Sequence, residues 1–218
     1  MNDAAAPPSV RTQQKRASIL TEATALFLRN GFHGTGMDDV ARAAGVSKQT
    51  VYKQFTDKEQ LFRVIVEGVT GNSDSIIASI AGAFGRQQAT TSAELEKRLV
   101  KVARVYLDGV LQPEVLALRR LIIAEAEQFP DLAQTYYAMA PARGIDVIAE
   151  HLARYAEAGL LVLSDNRLAA AHLAYLALSI AQDRAMFIPS DLPSTRERGR
   201  LSRGAARLFM TAYGAASP

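Results

Sequence analysis

Apolar residues recur at helical spacing along most of the chain. Ile19, Ala23, Leu26 and Phe27 form a stripe that predicts a helix from Arg11 to about Asn30, stopped by Asn30-Gly31. Met37, Val40, Ala41 and Ala44 predict a short second helix, and Val51 and Phe55 mark the buried side of a third. Leu61, Phe62, Ile65, Val69, Ile76, Ile77 and Ile80 continue the pattern from about Asp57 to about Phe84. Gly68 and Gly71 weaken that stretch, and Asn72-Ser73-Asp74 offers a fresh start inside it. Further helical runs are expected from Thr91 to about Leu111, from Pro113 to about Phe129, and from Pro130 to Ala158 with a kink or break at Pro141. The last two run from Ser164 to about Ile188 and onward from Ser194, the latter with Leu201, Leu208, Phe209 and Ala212 on its apolar side. Capping boxes are read at Thr35/Asp38, Thr56/Glu59, Thr91/Glu94 and Ser194/Glu197. With short β-branched runs and few prolines, this is the pattern of an all-α protein of about nine helices.

One stretch carries more than packing. Met37–Phe55, MDDVARAAGVSKQTVYKQF, reads as two short helices joined at Ala44-Gly45-Val46, a helix-turn-helix. Val40 and the small Ala41 face the second helix, Gly45 supplies the positive φ of the turn, Ser47 is its N-cap, and Val51 returns one contact to the shared core. The other side of SKQTVYKQF carries Lys48, Gln49, Thr50, Tyr52 and Lys53, without one carboxylate. A merely solvated face would usually mix in acids. A helix entering the major groove excludes them, because phosphates line both walls.

Composition and charge narrow the picture. Apolar residues are 49% of the chain, enough for a sizeable core, and there is no cysteine for a disulfide or thiolate site. The net charge of +3 is uneven: residues 1–63 hold nine Lys/Arg and six Asp/Glu, and the rest balances. No signal peptide opens the chain and the longest apolar run, Leu168–Ala181, is too short to span a bilayer, so a soluble, cytoplasmic protein is expected. The expected divisions are a disordered arm over 1–10, a helix-turn-helix domain over 11–56, and a ligand-binding and dimerisation domain over 57–218.

From about Ser18 to Val66 the chain resembles the N-terminal domain of TetR-family transcription regulators. The matching residues include Ala25-Leu26-Phe27, Gly31-Phe32, Thr35, Val40-Ala41, Ala44-Gly45-Val46-Ser47, Val51-Tyr52, Phe55, Lys58 and Leu61-Phe62. Arg119–Gly159 resembles, more loosely, the ligand-binding domains of the AcrR/AefR type. The resemblance implies a dimeric, ligand-responsive regulator, a repressor by expectation, that binds a near-palindromic double-stranded operator. It places Gln49 and Thr50 at base edges, Lys48 at bases or phosphates, and Thr35, Ser47, Tyr52, Lys53 and Lys58 at phosphates. It also makes the fourth helix a lever from head to body, and the last two helices half of a four-helix dimer interface. The basic run Arg196, Arg198, Arg200, Arg203 and Arg207 is read as a solvated flank. A small-molecule cavity is expected among the middle helices. Arg119, Glu125, Tyr136, Tyr137, His172 and Arg184 are candidates by type, none singled out.

Two other classes were weighed. A helical-bundle enzyme with a di-metal carboxylate site needs Glu-x-x-His pairs, and no His here follows a Glu by three. No phosphate-cradling loop or nucleophile elbow occurs either, so no catalytic residue, metal ligand or cofactor is expected. A helical interaction module that no longer reads DNA is the other alternative, and the intact donors at 48–53 speak against it.

Overall fold

The computed structural model describes residues 10–71 and 73–215. The arm expected over 1–10 lies outside them, apart from Val10, which is already helical. The helices are α1 (Val10–Asn30), α2 (Met37–Ala43), α3 (Lys48–Gln54), α4 (Lys58–Gly71), α5 (Ser73–Ala83), α6 (Ser92–Val110), α7 (Pro113–Ala124), α8 (Pro130–Tyr137), α9 (Arg143–Glu157), α10 (Asn166–Phe187) and α11 (Thr195–Tyr213). Among the described residues the only extended pairing is an isolated bridge between Leu161 and Gly214. No described helix is long and apolar enough to cross a membrane.

The stretch read as one helix over 57–84 comprises α4 and α5, and residue 72 between them lies outside the described residues. Pro141 sits in a π-helical turn, Ala138–Ala142, between α8 and α9. Proline has no N–H for the α-helical ladder, and the wider turn accommodates it.

In two of the four capping boxes the N-cap hydrogen bond forms as read, while the acid's side chain turns elsewhere, Glu94 to Thr90 N–H and Glu197 to Arg184. Thr91 and Ser194 accept from the backbone N–H of Glu94 and Glu197, each at 3.2 Å. The other two do not. The N-cap of α2 is Gly36, with no side-chain cap, because the Thr35 hydroxyl instead donates to the Gly31 carbonyl at 2.8 Å. Before α4 the box is displaced by one residue: Asp57 accepts from Gln60 N–H at 2.7 Å, and the Gln60 side chain accepts from Thr56 N–H at 2.6 Å. A carboxylate caps the positive end of a helix better than a threonine hydroxyl. The helix read from Ser164 likewise starts later, with Asp165 accepting from Leu168 N–H at 2.9 Å.

The chain folds as two units. The first, a head, runs through Val69 and takes in Leu121–Ala133; the second, a body, comprises Thr70–Arg120 and Gln134 onward. The head core joins Ile19, Ala23 and Phe27 of α1 with Val40 and Ala41 of α2, Val51 of α3 and Leu61, Phe62, Ile65 and Val66 of α4. Phe129, from the distant segment, closes it: its ring lies 4.9 Å from that of Phe32 and 5.5 Å from that of Phe62. Arg63 reinforces the closure, donating to both carboxylate oxygens of Asp131 and to Glu59 while lying over the Phe129 ring.

The body is built on α5, α6, α9, α10 and α11, around Leu95, Leu99, Leu107, Ile148, Leu152, Leu173 and Phe209, all fully buried. Ala103, Ala177 and Ala205 meet in one cluster, so that α6, α10 and α11 approach closely.

Candidate nucleic-acid interface

The interface is built on α3. Ser47 caps it, its hydroxyl accepting from Thr50 N–H at 3.2 Å and lying 2.8 Å from the Thr50 hydroxyl. Gly45 turns the chain at φ +65°, the left-handed conformation that favours glycine. Val51 is fully buried and fixes the inner face of the helix against α2. Arg16 of α1 secures the far end: its guanidinium lies 4.4 Å from the Phe55 ring centroid and donates to the Gln54 carbonyl at 3.2 Å. Ser18 adds a hydrogen bond to the Ala44 carbonyl at 3.4 Å. The short helix is thus held from behind and at both ends.

What remains outward is a row of donors. Ser47, Lys48, Gln49, Tyr52 and Lys53 are exposed, Thr50 is half-exposed, and no acid stands on the helix. Lys48 bridges both oxygens of Asp38, at 2.8 and 3.0 Å, and this hydrogen-bonded carboxylate holds its pKa above the usual lysine value. The pair is fully open to solvent, so a phosphate can compete with Asp38 for the ammonium. Gln49 and Lys53 make no side-chain bond within the described residues.

Two expected phosphate ligands stand apart from this row. Thr35 is buried, its hydroxyl spent on the Gly31 carbonyl. Lys58 is half-buried; its ammonium donates to the Phe32 carbonyl at 3.0 Å and sits 4.3 Å from the Phe32 ring centroid. Both join the α1–α2 turn to the head core. Sequence reasoning missed the bond from Arg16 to α3, since nothing local announces a contact between residues 38 apart. It also missed the Arg63–Asp131 clasp for the same reason.

The candidates read for a ligand cavity are dispersed. Glu125 belongs to the head unit, buried, with His33 at 3.6 Å. His172 bonds the Tyr213 hydroxyl at 2.5 Å, and Arg184 pairs with Asp191 at 3.0 Å and Glu197 at 3.2 Å. Arg119, Tyr136 and Tyr137 all lie in the body unit.

Comparison with known proteins agrees with this geometry. Residues 19–65 match the model of bacterial regulatory proteins of the tetR family, and residues 97–215, more than half the chain, match the C-terminal domain of AefR-like transcriptional repressors. The chain belongs to the TetR family. A TetR-family transcriptional regulator of Mesorhizobium loti MAFF303099, known from its crystal structure, superposes with a TM-score of 0.82 at 34% identity, over 95% of this chain and all of that one. The transcriptional activator FasR of Mycolicibacterium smegmatis is 27% identical over 97 residues, 44% of this chain and 41% of its own length. The transcriptional regulator AcrR of Shigella flexneri is 30% identical over 113 residues, 52% of this chain and 47% of its own. The chain thus spans less than half the length of the curated relatives it matches. Proteins of the TetR family regulate transcription through a DNA-binding fold and are not enzymes, so the helical-bundle enzyme is set aside.

Proposed function

We propose that the protein is a ligand-responsive regulator that reads a near-palindromic DNA operator as a dimer and is released from it by a small molecule. The observation that carries this reading is the outward face of α3: a capped, anchored helix whose exposed side holds hydrogen-bond donors and no carboxylate. Gln49 and Thr50 read base edges. Lys48 contacts a base or a phosphate, and Ser47, Tyr52 and Lys53 hold phosphates and set the register. Thr35 and Lys58 act from behind, holding the α1–α2 turn in place; Lys58 reaches a phosphate only by exchanging the Phe32 carbonyl for it.

A seven-residue helix touches few bases, so two heads act together on paired half-sites. The body supplies the second copy. On α10 and α11, Tyr175, Leu176, Ile180 and Leu208 are exposed apolar residues beside a groove lined by His172, Phe209 and Tyr213. A second copy covers this face, giving the four-helix interface. The AefR-like C-terminal match favours repression, relieved when a small molecule binds the DNA-incompetent form more tightly. The protein acts where the DNA is, in the cytoplasm.

The test is an electrophoretic shift of the DNA flanking the protein's own gene, with a scrambled duplex as competitor. The expected result is a discrete complex that survives the competitor. Equal competition by both duplexes at low salt overturns the reading and favours a helical interaction module.

A further inference from the structure

Five arginines stand on α11, and one of them is engaged: Arg198 donates to the Pro193 carbonyl at 2.9 Å and to Asp108 at 3.1 Å. The other four, Arg196, Arg200, Arg203 and Arg207, follow one another at spacings of four, three and four, so they form a single row along one face of the helix. All four are exposed, and none has a side-chain hydrogen bond or ion pair among the described residues. The row is no part of a general excess, because basic and acidic residues balance beyond residue 63.

The arrangement works against the helix. Like charges three and four residues apart repel, and Arg196 sits in the first turn, at the positive end of the helix dipole. Arg104 of α6 adds a further cation. A Cβ on Gly199 would lie 3.2 Å from a terminal nitrogen of Arg203 and 3.8 Å from one of Arg104, so the glycine leaves these two guanidiniums one shared space. The acids at hand are already taken. Glu197, the one acid of α11, pairs with Arg184 at 3.2 Å, and Asp108 pairs with Arg104 at 2.6 Å and Arg198 at 3.1 Å. The chain places charge along this face without supplying its counter-charge.

We propose that this row holds the phosphate backbone of double-stranded DNA, whatever its sequence. Between Arg196 and Arg207 the helix rises about 16 Å, and a duplex offers one negative charge per about 1.7 Å of its axis. A guanidinium fork meets a phosphate in two parallel hydrogen bonds. A protein partner would want an apolar anchor at the centre of the contact, and a membrane an apolar face to insert. The row provides neither: Gly199 and Gly204 lie among its arginines, and Leu208, the exposed leucine of α11, lines the groove given to the second copy. None of the four arginines lines that groove, so the row stands outside the face given to the dimer. Its role rests on the reading that the protein works on DNA, and not on which bases α3 contacts.

The test follows binding of the full chain to a scrambled duplex by anisotropy at several salt concentrations. Arg200→Gln/Arg203→Gln removes two neighbours of the row, and Arg86→Gln/Arg154→Gln removes the same charge from exposed, unpaired arginines elsewhere on the body. The row variant is expected to lower the slope of log affinity against log salt by about 2, at about 0.9 per lost phosphate contact, while the control keeps the wild-type slope. Arg196→Gln/Arg207→Gln should repeat the loss from the ends of the row. The preference for matched over scrambled duplex should be the same in wild type and row variants, since no base contact is touched. Equal slopes in wild type and row variants, an equal fall in the control, or no binding of scrambled duplex by the unaltered protein even at low salt overturns the proposal. Phosphatidylserine vesicles and poly-glutamate are the rival polyanions. Row-dependent binding of either, with an unchanged slope on DNA, also overturns it and gives the face to a membrane or an acidic protein. An operator that fails to outcompete scrambled DNA leaves the slope difference standing, and an unchanged slope leaves the operator preference standing.

Discussion

The head and the body close their cores in different ways. The body draws its central residues from helices packed on one another, with three alanines of α6, α10 and α11 in one buried cluster. The head sets the long α1 against the short α2 and α3 and is completed by Phe129, a residue 60 or more positions away from the buried residues of α1–α4 in the chain. The outward face of α3, proposed to read DNA, is polar, while part of the head's apolar closure comes from a distant stretch of the chain. The cost is dependence: any change that displaces residues 121–133 uncovers the rings of Phe32 and Phe62. The chain passes between the units at 69/70, 120/121 and 133/134, and two of those crossings bracket the segment that carries Phe129.

Several substitutions would break or sharpen this contrast, the largest effect first. Ile180→Asp places a charge on each side of the two-fold body interface, with an expected loss of about 3–5 kcal/mol for each uncompensated buried charge. Sedimentation velocity should show monomer, and operator affinity should fall with it. A dimer unchanged by this substitution would move the interface off α10. Next, Phe129→Ala removes a buried aromatic ring from the head, at about 3–5 kcal/mol. Hydrogen exchange should quicken in α1–α4 while the body core of α6 and α10 keeps its protection. Phe209→Ala, fully buried in the body, should do the reverse. Uniform loss of protection in both variants would mean that the two units unfold as one.

Smaller effects separate readers from holders within the head. Gln49→Ala should lose about 1–3 kcal/mol on the preferred duplex and relax its choice, whereas Lys53→Ala should weaken all duplexes alike and lower the salt slope by about 1. Anisotropy titrations on matched and scrambled DNA at several salt concentrations distinguish the two. Lys58→Ala, by contrast, is expected to act through stability as much as through phosphate, since its ammonium holds the Phe32 carbonyl.

The smallest effect is in pH. Hydrogen bonds from Arg63 hold the Asp131 carboxyl below the usual carboxylate range, so the clasp stabilises the head at neutral pH and is lost as pH falls through that lowered value. Tyr106 is the opposite case. Its raised pKa favours the protonated phenol, so its contribution is whole below the ordinary tyrosine value and is lost as pH rises toward about 12. Asp131→Asn should flatten the acid limb of the head's stability, and Tyr106→Phe the alkaline limb of the body's, as followed by hydrogen exchange.

How much of this was legible in the sequence follows from the range of each interaction. The helical stripes, the Gly45 turn, the Ser47 cap and the acid-free face of α3 are set by residues within a turn or two of one another, and the structure places them as the pattern implies. Thr35 was misread because its spacing to Asp38 also fits a capping box, and the spacing says nothing of the Gly31 carbonyl that captures its hydroxyl. The contacts of Lys58, Arg16 and Arg63 were missed because their partners lie 26, 38 and 68 residues away. Local chemistry shows which helix faces outward; only the packing shows what holds it there.

The central claim is that two copies of α3, mounted on one two-fold body, read DNA together. The most direct measurement compares affinity for a selected near-palindromic duplex with affinity for one half-site of it, by anisotropy with the stoichiometry fixed by sedimentation. The account predicts two chains on the full site and at least about tenfold tighter binding there than on the half-site. One chain bound, with equal affinity for both duplexes, would contradict it.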